Sequence, residues 1–240
     1  MHIANSNTYP FKTTPYAHQS KAWDMSKDKE EFALFMEMGT GKTKVAIDSI
    51  AYLYDSGRIQ SALIVAPKGV YMNWIIKEIP THLPDHVRYK IASWHAAPRK
   101  AEQEALDEIL KQSDDLRILV MNVEAFSTDK GTKFARLFMD VGGRTIMVVD
   151  ESTTIKNPGA QRTKNVIKTG MLAKYRRILT GEPVTRSPLD IYSQAQFLNP
   201  HLLGFSSYYT FRNRYAIMVD IKAGNRSFKK IVGFKQLEEL

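Results

Sequence analysis

The stretch Met36-Glu37-Met38-Gly39-Thr40-Gly41-Lys42-Thr43 limits the fold more tightly than any other part of the chain. An apolar run, Phe32 to Met36, leads into it, and Lys44-Val45-Ala46-Ile47-Asp48 continues from it in a helical pattern. A strand that turns through glycines directly into a helix belongs to a crossover unit, and crossover units build parallel sheets. Four more short apolar runs support this: Ala62 to Ala66, Arg117 to Met121, Ile146 to Asp150 and Arg177 to Thr180. Between them lie segments with helical spacing. Ala101, Ala105, Leu106, Ile109 and Leu110 share one face of a helix that Pro98 would open at its first turn. The pattern predicts an α/β fold, a parallel sheet covered by helices on both faces.

In such sheets ligands bind beyond the carboxyl ends of the strands. At the first of these ends, glycines let backbone N–H groups turn inward around phosphates, and the helix beginning near Lys42 adds its positive dipole end. Lys42 has the reach for the β and γ phosphates of ATP, and the Thr43 hydroxyl suits magnesium. Gly39, Thr40, Gly41, Lys42 and Thr43 are therefore the candidate phosphate-binding residues. The full phosphate-loop pattern asks for a glycine where Met36 stands, so the match is to a shortened form. About a hundred residues later, Thr145 to Val149 delivers Asp150-Glu151 at a strand end. Two adjacent carboxylates there call for a cation: Asp150 is the candidate magnesium ligand and Glu151 the candidate base for the attacking water.

From Asp150 onward the sequence resembles a known family. Asp150-Glu151-Ser152-Thr153-Thr154-Ile155-Lys156-Asn157-Pro158 is similar to the Asp-Glu-Ala-His box with trailing Ile-Lys-Asn of the Swi/Snf-type helicase-like ATPases of helicase superfamily 2. The variant beginning Asp-Glu-Ser resembles compact bacterial and phage members. Pro15-Tyr16-Ala17-His18-Gln19 with Trp23 resembles the family's adenine-reading segment, implying that Gln19 bonds the base. Ala62 to Pro67 through Asn73-Trp74 is similar to motif Ia, and Val120 to Glu124 sits where a further DNA-side motif falls. Ile178-Leu179-Thr180-Gly181-Glu182-Pro183-Val184 resembles motif III, continuing into Leu189 to Tyr192 and Phe197-Leu198.

The resemblance implies a RecA-like first lobe that binds double-stranded DNA along its backbone and translocates on it with ATP and Mg2+. The formal net charge of +9 agrees with a polyanionic partner. Lys68, Lys156, Arg162 and Lys164, just after strand ends or on adjoining loops, are the candidate phosphate-backbone contacts. There are two departures from the family. Glu182 stands where motif III has a second Thr, which would impair coupling or turnover. No Gln-x-x-Gly-Arg-x-x-Arg segment occurs in the 240 residues, so the arginines of a second RecA-like lobe are missing. ATP binding is expected to survive this, and fast hydrolysis is not.

Residues 1–200 are expected to form the lobe, and 201–240 a small aromatic and basic appendage. Within the appendage, Ala216 to Ile221 and Ser227 to Val232 read as a β-hairpin turning at Lys222 to Asn225. Its aromatic side chains, Tyr215, Phe228 and Phe234, are expected to pack against the lobe rather than contact nucleic acid. Phe234 to Leu240 looks like the start of an amphipathic helix, suggesting a fragment of a longer chain. No apolar run is long enough to span a bilayer and no leader follows Met1, so a cytoplasmic location is expected. With no cysteine and six scattered histidines, transition-metal sites are not expected. Three other functions compete: an RNA helicase lobe, a nucleotide- and DNA-binding module without efficient turnover, and a small-molecule kinase, for which neither lid nor acceptor motif is visible.

Overall fold

The computed structural model describes residues 8–223 and 226–240. Six strands, β1 (Glu31–Phe35), β2 (Ser61–Ala66), β3 (Tyr89–Ser93), β4 (Leu116–Asn122), β5 (Thr145–Asp150) and β6 (Tyr175–Thr180), form one sheet in the order β1-β6-β5-β2-β4-β3. Every pairing in it is parallel. The central strands β2 and β5 are buried along their whole length, which explains why they read as unbroken apolar runs.

Alternation along these strands splits the core in two. Ala62, Ile64, Ile118, Val120, Ile146 and Val148 point to the face that packs Val45, Ile47, Ile50 and Leu53 of α2 (Lys42–Asp55). Trp23 of α1 (Ala17–Ser26) joins the same core. Leu63, Val65, Leu119, Met121, Met147 and Val149 point the other way. There they meet Leu106 and Ile109 of α5 (Lys100–Leu110), Phe138 of α6 (Asp129–Val141), Val166 of α7 (Gln161–Gly170) and Phe197 of α8 (Ile191–Leu198). Each fully buried side chain of this size contributes about 1.5–3 kcal/mol, so both faces hold the sheet comparably.

Between β2 and β3 the chain makes a compound helix: α3 (Tyr71–Asn73), a π-helical turn (Trp74–Glu78) and α4 (Ile79–His82). Pro80 has no N–H for the Ile76 carbonyl, so the regular register cannot run through this point and the wider turn takes up the mismatch.

Arg177 is the largest polar side chain in the interior, with 0% of its surface exposed. No carboxylate among the described residues forms a salt bridge with it. Instead its guanidinium donates to the carbonyls of Ser26, Lys29, Glu30 and Arg176 at 2.7–3.0 Å. This pins the loop between α1 and β1 onto β6, beside the Phe32↔Arg177 register pair. Burial pulls the Arg177 pKa down to about 10, which leaves it charged at neutral pH.

A third small core joins the C-terminal segment to the lobe: Phe211, Tyr215 and Ala216 pack with Leu189 and Tyr192, so Tyr215 packs on the lobe as expected. Phe211 and Tyr215 come from α9 (Tyr208–Tyr215), a helix opened by the Ser207 hydroxyl accepting from Thr210 N at 3.2 Å. The antiparallel hairpin is present as β7 (Ala216–Ala223) and β8 (Arg226–Phe234), longer than its apolar stretches suggested. Gly224 and Asn225 of the expected turn lie outside the described residues.

Three expectations are corrected. Phe228 does not pack on the lobe: it is 51% exposed, because a two-stranded ribbon has one face with nothing to lean on. Phe234 ends β8, and residues 235–240 form a 3-10 turn, Leu237–Glu239, where an amphipathic helix was expected. Pro98 lies one residue before the Arg99 cap, and α5 is opened by Glu102 accepting from the Arg99 N–H at 2.7 Å.

Candidate functional site

The glycine loop leaves β1 and enters α2 through two left-handed residues, Gly39 (φ 76°) and Gly41 (φ 86°). Lys42 is the first residue of α2, and its Nζ donates to the carbonyls of Met36 and Glu37 at 3.0 and 3.1 Å. The lysine therefore ties the loop's beginning to its end. Thr40 Oγ1 donates to the Glu37 carbonyl at 2.7 Å, tightening the same turn.

The start of α1 clasps this loop from behind. Gln19 is buried; its Nε2 donates to the Thr40 carbonyl at 3.0 Å and its Oε1 accepts from Tyr16 N at 3.0 Å. His18 Nε2 donates to the same carbonyl at 3.0 Å. A Cβ on Gly41 would sit 2.3 Å from Gln19 Nε2. The φ calls for glycine there, and a side chain would in addition push the Gln19 amide aside. Gly41→Ala is expected to weaken ATP affinity about tenfold, from about 1–2 kcal/mol of backbone strain plus displacement of Gln19. Calorimetric titration checks this; an unchanged affinity would show that the loop does not need this conformation.

Across the cleft, β5 ends in the paired acids. Asp150 is buried; its Oδ2 accepts from Trp74 Nε1 and its Oδ1 from the Glu151 N–H, both at 3.0 Å. Burial nevertheless raises its pKa, against the opposing pull of these bonds and of the Lys42 charge. The Glu151 pKa is also raised, first by burial and then by the charge of Asp150, with Glu182 adding to the rise; Lys42 and a hydrogen bond with Thr180 oppose it. Glu151 is one of two non-glycine residues with positive φ among the described residues (φ 47°). Strain of this kind persists only where the surroundings fix it.

Gly39, Gly41, Lys42, Thr43, Asp150 and Glu151 all line one cleft of about 470 Å³, whose far wall is the compound helix, including Trp74, Lys77 and Glu78. Thr40 and Gln19 stand behind the loop rather than on the cleft wall. The residues suit a magnesium nucleotide: two left-handed glycines open the loop, a lysine bridges it, and a hydroxyl and a buried carboxylate supply hard oxygen donors. The sequence offered no sign that Trp74 would hold Asp150, since the two are 76 positions apart.

The four basic candidates lie elsewhere. None of them borders this cleft. Lys68 and Lys164 are exposed, and Arg162 is half-buried with a buried Nε that has no hydrogen-bond partner among the described residues. Lys156 is engaged within the protein, donating to Asp190 Oδ2 at 3.2 Å and to Thr185 Oγ1. It borders a second, smaller cleft of about 230 Å³ together with Asn157 and Arg186, a cation that the reading of the sequence passed over.

A parallel sheet covered on both faces, a glycine loop between β1 and α2, and acids at the end of β5 define the RecA-like phosphate-loop class. The chain belongs to the SNF2-related domain family, whose model matches residues 16–235. The "Probable ATP-dependent DNA helicase CHR12" of Arabidopsis thaliana is 32% identical over 167 residues, covering 69% of this chain and 14% of that protein. The human "SWI/SNF-related matrix-associated actin-dependent regulator of chromatin subfamily A containing DEAD/H box 1" is 30% identical over 173 residues, covering 71% of this chain and 16% of that protein. The chain thus spans less than a fifth of either relative. Among solved structures, the "Sulfolobus solfataricus SWI2/SNF2 ATPase core in complex with dsDNA" matches with a TM-score of 0.66 and 26% identity, covering 86% of this chain and 40% of that one. No helix among the described residues is long and apolar enough to cross a membrane.

Proposed function

We propose that this chain is the ATP-binding first motor lobe of a double-stranded-DNA-dependent ATPase and translocase. Residues 1–200 make the lobe and 201–240 the appendage, and a second RecA-like lobe completes the motor. The observation that carries this reading is the shared cleft, in which the Lys42 charge acts on both Asp150 and Glu151. Backbone N–H groups at Gly39 to Thr43 and the Lys42 ammonium hold the ATP phosphates. Thr43 and Asp150 would hold magnesium, which would supply positive charge against the phosphates. Glu151 orients the attacking water and takes its proton. Gln19 reads the base with the N–H and lone pair its present bonds leave free.

For the partner, the support is the net charge of +9 and the double-stranded DNA with which the Sulfolobus ATPase core is in complex. Lys68, Lys164, Arg162 and Lys156 carry the backbone contacts. A second reading, a nucleotide- and DNA-binding module without efficient turnover, is favoured by one feature: the Glu182 charge raises the Glu151 pKa further and so disfavours the basic form. Hydrolysis of ATP by the purified chain, measured with magnesium and with or without duplex DNA, separates the two. The expected result is slow hydrolysis, stimulated by DNA and lost in Lys42→Ala, because the second lobe's arginines are not in the chain. ATP binding without turnover would assign the second reading, and hydrolysis indifferent to Lys42→Ala would overturn both.

A further inference from the structure

The turn that opens α8 is polar where packing alone would call for apolar side chains. Gln194 has 0% of its surface exposed, and both ends of its amide are used. Its Oε1 accepts from Ser152 Oγ at 2.6 Å; its Nε2 donates to the carbonyls of Pro183 at 2.7 Å and Asp190 at 2.9 Å. Asp190 lies four residues earlier. Its Oδ2 accepts from Lys156 Nζ at 3.2 Å, Thr185 N at 3.1 Å, Thr185 Oγ1 at 3.0 Å and Arg186 N at 2.9 Å.

Two residues on one face of one turn thereby hold two loops at two points each. Ser152 and Lys156 flank the 3-10 turn in the loop after β5; Pro183 and Thr185-Arg186 belong to the loop after β6. Ser152 directly follows Glu151, whose backbone is left-handed (φ 47°, ψ 62°), and Pro183 directly follows Glu182. A buried amide with every partner filled tolerates one arrangement, because any slip leaves a polar group unpaired. A shift of Glu151 therefore moves Ser152, the Gln194 amide and Pro183 together.

We infer that Gln194, seconded by Asp190, is a positioning residue that transmits the occupancy of the nucleotide cleft from Glu151 to the loop 182–186. The inference rests on the reading of the cleft as an ATP site, and it assigns to this pair the link between that site and the basic residues Lys156 and Arg186.

The test uses the whole chain, magnesium and the non-hydrolysable analogue AMP-PNP. Hydrogen exchange is followed at the amides of Thr185 and Arg186, both of which donate to Asp190. In the unmodified chain the analogue is expected to change their exchange about fivefold or more, the lower bound of ordinary site-to-site coupling. Ser152→Ala cuts the bond from Ser152 to Gln194 while leaving Gln194 on Pro183 and Lys156 on Asp190; Gln194→Leu cuts the amide's bonds to both loops. In each, analogue affinity is expected to stay within about twofold and the exchange response to fall below about twofold. A Gln194 that only stabilises the fold would raise exchange equally with and without the analogue, so the response would persist. Persistence in Ser152→Ala, or an unmodified chain that binds the analogue without any response, would overturn the inference. Absence of Lys42-dependent binding in the unmodified chain is a different outcome, since it removes the ATP site itself and the inference with it.

Discussion

Glu151→Gln is expected to lower single-turnover ATP hydrolysis by about 10²- to 10⁴-fold, the usual contribution of a positioned general base. ATP affinity is expected to hold or improve, because the substitution removes a carboxylate that repels its neighbour Asp150. Quench-flow with protein in excess over labelled ATP detects even slow hydrolysis, and equilibrium titration gives the affinity. A rate loss below tenfold would remove Glu151 from the role of base. The pH dependence follows from the raised pKa. The basic form is the active one, so the rate rises with pH through the Glu151 pKa and levels above it, at a midpoint higher than an ordinary glutamate gives. The same shift has a stability sign. The folded pKa values of Asp150 and Glu151 lie above their unfolded values, so their contribution is fully present below the ordinary carboxylate range and is lost as pH rises through the raised values. Magnesium nucleotide offsets that loss at neutral pH and has little to offset near pH 4.

Arg177→Ala is expected to cost about 3–5 kcal/mol of stability, because the guanidinium now filling four carbonyls leaves behind a cavity and unpaired acceptors. Urea unfolding followed by far-UV circular dichroism measures the loss as a lowered midpoint. The damage should concentrate at β1 and the loop before it, and hence at the strand that aims Gly39 to Lys42. Arg177→Lys is expected to recover only part of the loss, since an ammonium has three donors on one atom and cannot span carbonyls spread from Ser26 to Arg176. A cost below about 1 kcal/mol for the alanine variant would mean that water replaces the guanidinium without penalty.

The parts of the fold legible in the sequence were those where one physical demand acts on neighbouring residues. Strands buried on both faces are predominantly apolar, so β2, β4 and β5 announced themselves. The strand-to-helix turn must carry glycines at the left-handed positions, so Gly39 and Gly41 marked the phosphate loop. β3 was missed because it is an edge strand with one fully buried residue, Ala92, and so lacks an apolar run. The α9 helix was hidden by its aromatic residues, which suit strands as well as helices.

The site divides along the same line. Lys42, Thr43, Asp150 and Glu151 were singled out in the sequence because phosphate and magnesium chemistry ask for particular residue types at a strand end, and the fold brings all four to one cleft. Trp74 on Asp150, Gln19 behind Gly41 and Gln194 between two loops depend on contacts between distant segments, and each could have been a plain surface or core residue. Lys156 shows the converse: its position after β5 suggested a free cation, while the fold supplies it with Asp190.

Magnesium-dependent binding of ATP to the purified chain, measured by calorimetric titration beside Lys42→Ala, tests the central claim most directly. One site per chain is expected, with an affinity that falls about 10- to 100-fold in the variant, the worth of a charge-assisted contact of about 1.5–3 kcal/mol. Binding that is absent, or that is equal in the two proteins, would contradict it.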